Sequence, residues 1–322
     1  MEYIILVISL VGIVYGADFL VAGAVSIAKK YKVSDFVIGA AIVGVGTSMP
    51  ELVVSFLGAI GGNADVAIGN VVGSNIFNVL GILGLTAMFF PIAIDKANMK
   101  FEIPLCIFVS LLVTLLALNF FNGSAATIGR VDGLVLLLCF AVFMWYSFYR
   151  DRKASAAMPA VQDVQENADE DKSPLWLAIV KVVGGLAVLI TSCDFFVDNA
   201  VLIAKSFGVN DAFISLTLIA CGTSLPELAA SIAAAVKKNT QMALGNIVGS
   251  NIFNITLILG LSSQVMPLTS SSITVIDYGV MIFAAVVPLL LGFTGKINRL
   301  AGAAMFSCFI GYTWFLLSGQ IA

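Results

Sequence analysis

The chain has 322 residues, 60% of them hydrophobic and only 11% charged, with a formal net charge of −3. A composition this apolar excludes an ordinary soluble domain and places the chain in the membrane class. Histidine is absent, which excludes histidine metal sites, imidazole acid–base catalysis and a histidine proton relay, so any proton coupling falls to carboxylates.

Apolar stretches long enough to cross a bilayer, about 20 residues each, predict an all-α polytopic membrane protein. Ten transmembrane helices are expected, at 3–28, 34–60, 66–91, 101–120, 131–149, 174–204, 210–236, 242–267, 272–294 and 298–319. The first begins directly after Met1-Glu2-Tyr3, without the basic region of a signal peptide, so it is expected to stay in the protein. The charge distribution then sets the orientation. With the N-terminus outside, the inner loops hold Lys29, Lys30, Lys32, Lys96, Lys100, Arg150, Arg152, Lys153, Lys172, Lys237, Lys238, Lys296 and Arg299, and the outer side keeps Arg130 and Lys205. Lys181 lies early in the sixth span and can snorkel inward. The positive-inside rule is obeyed, so both termini are expected outside in a multi-pass protein of the cell (inner) membrane. The one long polar stretch, 150–173, carries Asp163, Glu166, Asp169, Glu170 and Asp171. It is read as a solvated cytoplasmic linker in preference to a regulatory cation site, the other reading its acidic run allows. The expected organisation is a first five-helix repeat at 1–149, the linker at 150–173 and a second five-helix repeat at 174–322.

The halves repeat each other at a fixed offset of 176 residues. Gly46-Thr47-Ser48-Met49-Pro50-Glu51-Leu52 returns as Gly222-Thr223-Ser224-Leu225-Pro226-Glu227-Leu228, and Gly69-Asn70-Val71-Val72-Gly73-Ser74-Asn75-Ile76-Phe77-Asn78 returns as Gly245-Asn246-Ile247-Val248-Gly249-Ser250-Asn251-Ile252-Phe253-Asn254. Asp18, Asp35 and Pro91 map onto Asp194, Asp211 and Pro267. From Gly44 to Gly81, 19 of 38 positions are identical, with no gap, so the duplication is strict where the sequence is polar. Five spans per repeat force the second copy to insert inverted relative to the first. Two hydrophobic segments interrupted by Gly and Pro at matching places point to a transporter's binding site.

Pro50 has no N–H, so it removes the helical partner of the Gly46 carbonyl, and Gly44 and Gly46 ease local unwinding. A carbonyl freed at membrane depth needs protein, water or an ion. Thr47, Glu51 and Ser55 recur at i, i+4, i+8, as do Asn70, Ser74 and Asn78, and the second half repeats both stripes with Thr223, Glu227 and Ser231, and Asn246, Ser250 and Asn254. Residues four apart share a helix face, so four converging helices would form a cage of oxygens. Such a cage suits hard cations, and calcium takes about 6–8 oxygens. Two carboxylates in a low-dielectric site repel each other unless a divalent cation, monovalent cations or protons compensate them. That gives a basis for exchange, because one cargo leaves most easily as another arrives.

Other features have plainer readings. Gly69-x-x-x-Gly73 and Gly245-x-x-x-Gly249 fit close helix packing. Asn75 and Asn251 fall off the polar stripes and read as packing or capping residues. Asp18 and Asp194 either line an ion path or cap and pair near a helix end; Asp132, Asp198 and Asp277 read as ordinary interfacial residues. The five cysteines, Cys106, Cys139, Cys193, Cys221 and Cys308, show no paired spacing and read as buried thiols, with Cys221 set apart by its place beside Gly222.

The paired Gly-Thr-Ser-(Met/Leu)-Pro-Glu and Gly-Ser-Asn-Ile-Phe-Asn motifs resemble the two alpha-repeats of the sodium/calcium exchanger branch of the calcium/cation antiporter superfamily, in its compact prokaryotic form. The resemblance runs from about Asp18 to Pro91 and from Asp194 to Pro267. It implies a ten-helix inverted-repeat fold and antiport of calcium against sodium by alternating access, with the first and sixth helices sliding against the other eight. Glu51 and Glu227 resemble the central cation-binding carboxylates. Thr47, Ser48, Thr223 and Ser224 resemble hydroxyl or carbonyl ligands, and Ser74 and Ser250 resemble flanking sodium ligands. The carbonyls of Gly44 and Ala220 match positions along the path, and Asn78 and Asn254 fall where family members carry Asn or Asp. With both neutral, the centre holds two formal charges and potassium dependence is disfavoured. The expected partners are calcium and sodium ions and the bilayer, with no cofactor, no nucleic acid and no enzymatic activity. The alternatives are a proton/calcium antiporter of the same superfamily, which Gly-Asn-Val-Val-Gly-Ser disfavours, a passive cation channel, and an intramembrane hydrolase, which no nucleophile, histidine or metal motif supports.

Overall fold

A computed structural model describes residues 2–31, 33–118, 127–157, 174–207, 220–269 and 272–321. In chain order the helices are α1 (Glu2–Tyr31), α2 (Asp35–Thr47), α3 (Met49–Ile60), α4 (Ala64–Phe89), α5 (Lys96–Ala117), α6 (Arg130–Ala157), α7 (Leu175–Ser206), α8 (Ala220–Gly222), α9 (Leu225–Val236), α10 (Thr240–Val265), α11 (Val275–Gly292) and α12 (Arg299–Ile321). Among the described residues, eight helices are long and apolar enough to cross a membrane, and α2 with α3 makes a ninth span bent by 48°. The seventh expected span, 210–236, is represented by α8 and α9, and its first residues lie outside the described ones. The helix expected to end at 149 runs on to Ala157, because Arg152, Lys153, Ala154, Ala156 and Ala157 are good helix formers. The acidic run of the linker lies outside the described residues.

Burial grades the helices from centre to rim. The membrane-length window of α10 is 94% buried and that of α4 is 72% buried, against 28% for α1, 22% for α7 and 11% for α12. The two innermost helices are therefore the two that carry the Gly-Ser-Asn-Ile-Phe-Asn motif. Their central place depends on small residues. A Cβ on Gly245 would lie 2.2 Å from the Phe36 carbonyl oxygen, so α10 and α2 touch backbone to backbone. Helices in lipid associate through this kind of close approach, since lipid tails give no hydrophobic drive. Gly249 makes the same kind of contact with Ala40. The residues matching Phe36 and Ala40 in the second half, Ala212 and Leu216, lie outside the described residues. At the rim, α1 and α7 run antiparallel and equally close, Gly16 against Leu189 and Gly185 against Leu20.

Among the described residues, four two-residue strands join the halves, which an all-helical reading does not include. β1 (Ile92–Ala93) pairs antiparallel with β4 (Lys296–Ile297), and β2 (Thr127–Ile128) with β3 (Leu268–Thr269). Pro91 and Pro267 explain two of them. The residue before proline is pushed out of the helical region, and Phe90 (φ −127°, ψ 98°) and Met266 (φ −150°, ψ 151°) are extended. Each proline thus ends its helix and releases an extended strand. On another edge, Arg150 pairs with the buried Glu102 and donates to the Ala97 carbonyl, tying α6 to the start of α5.

Candidate functional site

The site forms where both Pro-Glu helices break. Ser48 (φ −82°, ψ 10°) separates α2 from α3, with Pro50 in the first turn of α3, and Ser224 (φ −93°, ψ 8°) holds the same place before α9 and Pro226. Proline is tolerated there because the first N–H groups of a helix have no internal partner. The break places Glu51 and Glu227 at helix starts, and both are fully buried.

Each glutamate is held by the opposite half. Ser48 Oγ donates to Glu227 Oε1 at 2.7 Å, and Ser224 Oγ donates to Glu51 Oε1 at 2.8 Å. The asparagines of the inner helices repeat the pattern. Asn70 donates to the Glu51 carbonyl (3.1 Å) and to Ser55 Oγ (2.9 Å), and Asn246 donates to the Glu227 carbonyl (3.1 Å) and to Ser231 Oγ (2.9 Å). Thr47 Oγ1 donates to Asn246 Oδ1 at 3.3 Å and Thr223 Oγ1 to Asn70 Oδ1 at 3.5 Å. Every one of these bonds has a counterpart 176 residues away.

Between α4 and α10 lies a second set of reciprocal bonds. Asn75 Nδ2 donates to the Asn251 carbonyl (3.2 Å) and Asn251 Nδ2 to the Asn75 carbonyl (3.1 Å). Asn78 Nδ2 donates to Asn251 Oδ1 (3.0 Å) and Asn254 Nδ2 to Asn75 Oδ1 (3.2 Å). Here α4 and α10 are wound as π-helix, over Phe77–Leu83 and Asn254–Ile258, a conformation that favours functional sites. A third π segment, Gly39–Gly44, leads into the break at Ser48, and its last carbonyl, that of Gly44, accepts from Ser48 N–H (3.1 Å) and from Ser250 Oγ (3.2 Å).

What remains unpaired is chemically uniform. Glu51 Oε2, Glu227 Oε2, Ser74 Oγ, Asn78 Oδ1 and Asn254 Oδ1 are buried and have no hydrogen-bond partner. A buried polar atom without a partner costs about 1–3 kcal/mol, more when charged, so this set calls for an explanation. All five are oxygens, two belong to carboxylates, and none is a nitrogen or sulfur. Such a donor set fits a hard cation. The two carboxylates are placed by crossed bonds, each held by the serine three residues before the other.

The structure therefore ties Glu227, Ser48 and Thr47 together through Asn246, and Glu51, Ser224 and Thr223 through Asn70; it places Asn78 and Asn254 in the separate asparagine set, joins Ser250 to the Gly44 carbonyl, and buries Ser74 with its hydroxyl open. Ala220 begins α8, two residues before Gly222. Asn75 and Asn251, expected to pack or cap, do pack: their amides bond α4 to α10 reciprocally. The signal that marks them is their identity in both repeats, which helical spacing conceals because they fall one residue off the stripe. Of the two readings of Asp18, the structure shows the pair: Lys237 Nζ stands 2.7 Å from its Oδ1 and donates to its carbonyl at 2.9 Å. Asp194 is exposed on α7. Asp277 is not merely interfacial, because it is buried, caps α11 through Thr274, and accepts from Tyr312 Oη at 2.6 Å. The cysteines are all free; Cys106 and Cys193 are buried, Cys139 and Cys221 partly so, and Cys308 is exposed, against the expectation that all are buried.

Comparison with known proteins gives concordant matches. The sodium/calcium exchanger protein family matches residues 1–149 and 177–318. The putative antiporter CaxA of Alkalimonas amylolytica is 40% identical over 98% of both chains. The sodium/calcium exchanger MaX1 of Methanosarcina acetivorans is 32% identical over 97% of both. A solved structure of the sodium-calcium exchanger NCX_Mj, soaked with zero Na+ and Ca2+, superposes with a TM-score of 0.82 at 28% identity, covering 100% of this chain and 99% of that one.

Proposed function

The chain belongs to the sodium/calcium exchanger family, and from that premise we propose that it exchanges calcium for sodium across a membrane by alternating access, at a site centred on Glu51 and Glu227. The observation that carries this reading is the set of open oxygens on the buried side chains of Glu51, Glu227, Ser74, Asn78 and Asn254, drawn from both halves. Calcium compensates both carboxylates at once, and hydroxyl, amide and backbone carbonyl oxygens complete its shell of about 6–8. Sodium ions do the same in sequence. An empty site leaves two buried charges uncompensated, at a cost of several kcal/mol per ion, so crossing without cargo is disfavoured and transport becomes exchange.

The open neutral oxygens favour sodium over protons as the coupling ion. Protons satisfy Glu51 and Glu227 but leave Ser74 Oγ, Asn78 Oδ1 and Asn254 Oδ1 without a partner, whereas sodium ions use them. The reciprocal bonds at the 176-residue offset support two related repeats at 1–149 and 174–322, and the lysine and arginine placement supports their inverted insertion, a cytoplasmic linker at 150–173 and both termini outside. The low burial of α1 and α7 and their close mutual packing support their sliding together against the rest. The ligands proposed are Glu51, Glu227, Ser74, Ser250, Asn78 and Asn254, with Thr47, Ser48, Thr223, Ser224 and the carbonyls of Gly44 and Ala220.

The test is calcium-45 uptake into liposomes loaded with sodium and diluted into sodium-free buffer, beside a pH-gradient control. Uptake driven by sodium and lost in Glu51→Gln is expected. Uptake driven only by protons would make the protein a proton/calcium antiporter, and uptake driven by neither would refute calcium antiport.

A further inference from the structure

Asn75, Asn78, Asn251 and Asn254 are all at most 2% exposed. The two ends of an asparagine amide are nearly the same in shape, and only hydrogen bonding decides which end points where. Here that decision starts from the backbone. A carbonyl oxygen only accepts, so the Asn251 carbonyl compels Asn75 to present Nδ2 to it, at 3.2 Å. The Oδ1 of Asn75 is thereby turned toward Asn254. An oxygen there demands a donor, and Asn254 supplies its Nδ2 at 3.2 Å. The remaining atom of that amide, Asn254 Oδ1, is then the one left open. The mirror chain runs from the Asn75 carbonyl through Asn251 to Asn78 Nδ2, and leaves Asn78 Oδ1 open.

We infer that Asn75 and Asn251 are positioning residues that fix the amide polarity of Asn254 and Asn78, so that a neutral oxygen and not an NH2 group is offered to the transported cation. The inference rests on the exchange function proposed above and deepens it. Reversing Asn254 would set two oxygens against each other at Asn75 and aim two N–H groups at a cation. The arrangement also limits charge. An ionised carboxylate at 254 or 78 would oppose the oxygen of Asn75 or Asn251 with no proton between them, so this clasp keeps the formal charge of the centre on Glu51 and Glu227 alone. The π-helical winding that begins at Phe77 and at Asn254 accompanies both asparagines and belongs to the same device.

Equilibrium dialysis with calcium-45, on purified protein in sodium-free detergent buffer, separates positioning from general stability. Asn75→Ala is expected to weaken calcium binding about tenfold or more, the usual cost of losing a residue that orients a ligand. Because Asn75 acts through Asn254, adding Asn75→Ala to Asn254→Ala should weaken binding no further. Affinity within about twofold of wild type in Asn75→Ala, or a double variant weaker than Asn254→Ala by the full Asn75→Ala factor, would overturn the inference. If Asn75→Ala is not recovered folded, Asn251→Ala with Asn78→Ala poses the same question on the other half. A wild-type protein that binds no calcium would overturn the exchanger reading together with this one, whereas wild-type binding unchanged by Asn75→Ala overturns this inference alone.

Discussion

Glu227→Gln isolates charge from shape. The glutamine oxygen still accepts the 2.7 Å bond from Ser48, so that contact survives. Its NH2 group replaces Oε2, the atom without a partner. The site thus loses one of two negative charges and turns donor hydrogens toward the cation. Breaking a buried charge pair by removing one partner costs about 3–5 kcal/mol, and each 1.4 kcal/mol is tenfold, so the calcium Kd should rise by about two to four decades. Stability should move the other way. In the ion-free protein the substitution removes a fully buried carboxylate with one oxygen lacking a partner, so the ion-free Tm should equal or exceed that of wild type. Calcium at a hundred times its Kd adds about 2.7 kcal/mol to a protein that binds it, and this gain should vanish in the variant. Differential scanning fluorimetry with and without calcium reads both effects, and calcium-45 uptake reads transport. A Glu227→Gln protein that keeps the wild-type calcium-induced rise in Tm and wild-type uptake would refute the reasoning. Glu51→Gln should behave alike.

Ser48→Ala and Ser224→Ala each remove a hydroxyl that donates to a glutamate across the halves, at 2.7 and 2.8 Å. Bonds to charged groups are worth about 1.5–3 kcal/mol, so each should raise the apparent KM for calcium by about ten- to a hundredfold, and effects differing by much more than tenfold between the two would deny their equivalence. Gly245→Ala places a Cβ 2.2 Å from the Phe36 carbonyl oxygen, forcing α10 from α2. Size-exclusion profiles should show loss of monodisperse protein, while Gly311→Ala, with nothing within 4 Å, should elute as wild type.

The membrane class, the spans and the two glutamates were legible because each follows from a local rule. Apolar length gives the spans, lysine and arginine placement the expected orientation, and a duplicated Pro-Glu inside apolar sequence the site. The parts that were hidden depend on contacts between distant segments. Helical spacing put Asn70, Ser74 and Asn78 on one stripe and left Asn75 off it, yet Asn75 reaches Asn251 across 176 residues. The π-helical winding from Phe77 changes the register beyond it, and nothing in Asn254–Ile258 announces the same winding in the second half. The strands were hidden for a different reason, since two residues are too few to show alternation. Asp18 looked like an ion-path candidate because it is duplicated. Its partner Lys237 has no copy, because the matching position in the first half is Gly61.

Reciprocity across the halves has an energetic consequence, and one exception to it gives a further prediction. If each bond on one side has an equal on the other, two conformations in which the halves exchange roles contain the same bonds, and their energies stay close enough for a transporter to visit both. The hydroxyls of Ser74 and Ser250 break that balance. Ser250 donates to the Gly44 carbonyl at 3.2 Å, whereas Ser74, which would reach the Ala220 carbonyl by the same rule, has no partner. On the alternating-access reading proposed above, this arrangement corresponds to one of two related states, with the Ser250 side joined and the Ser74 side open. Ser250→Ala should remove a bond worth about 1 kcal/mol from this state and lower the ion-free Tm. Ser74→Ala removes an unpaired buried hydroxyl and should leave the Tm unchanged or raise it. Equal losses of Tm in the two variants would show that the difference between the serines does not distinguish the states.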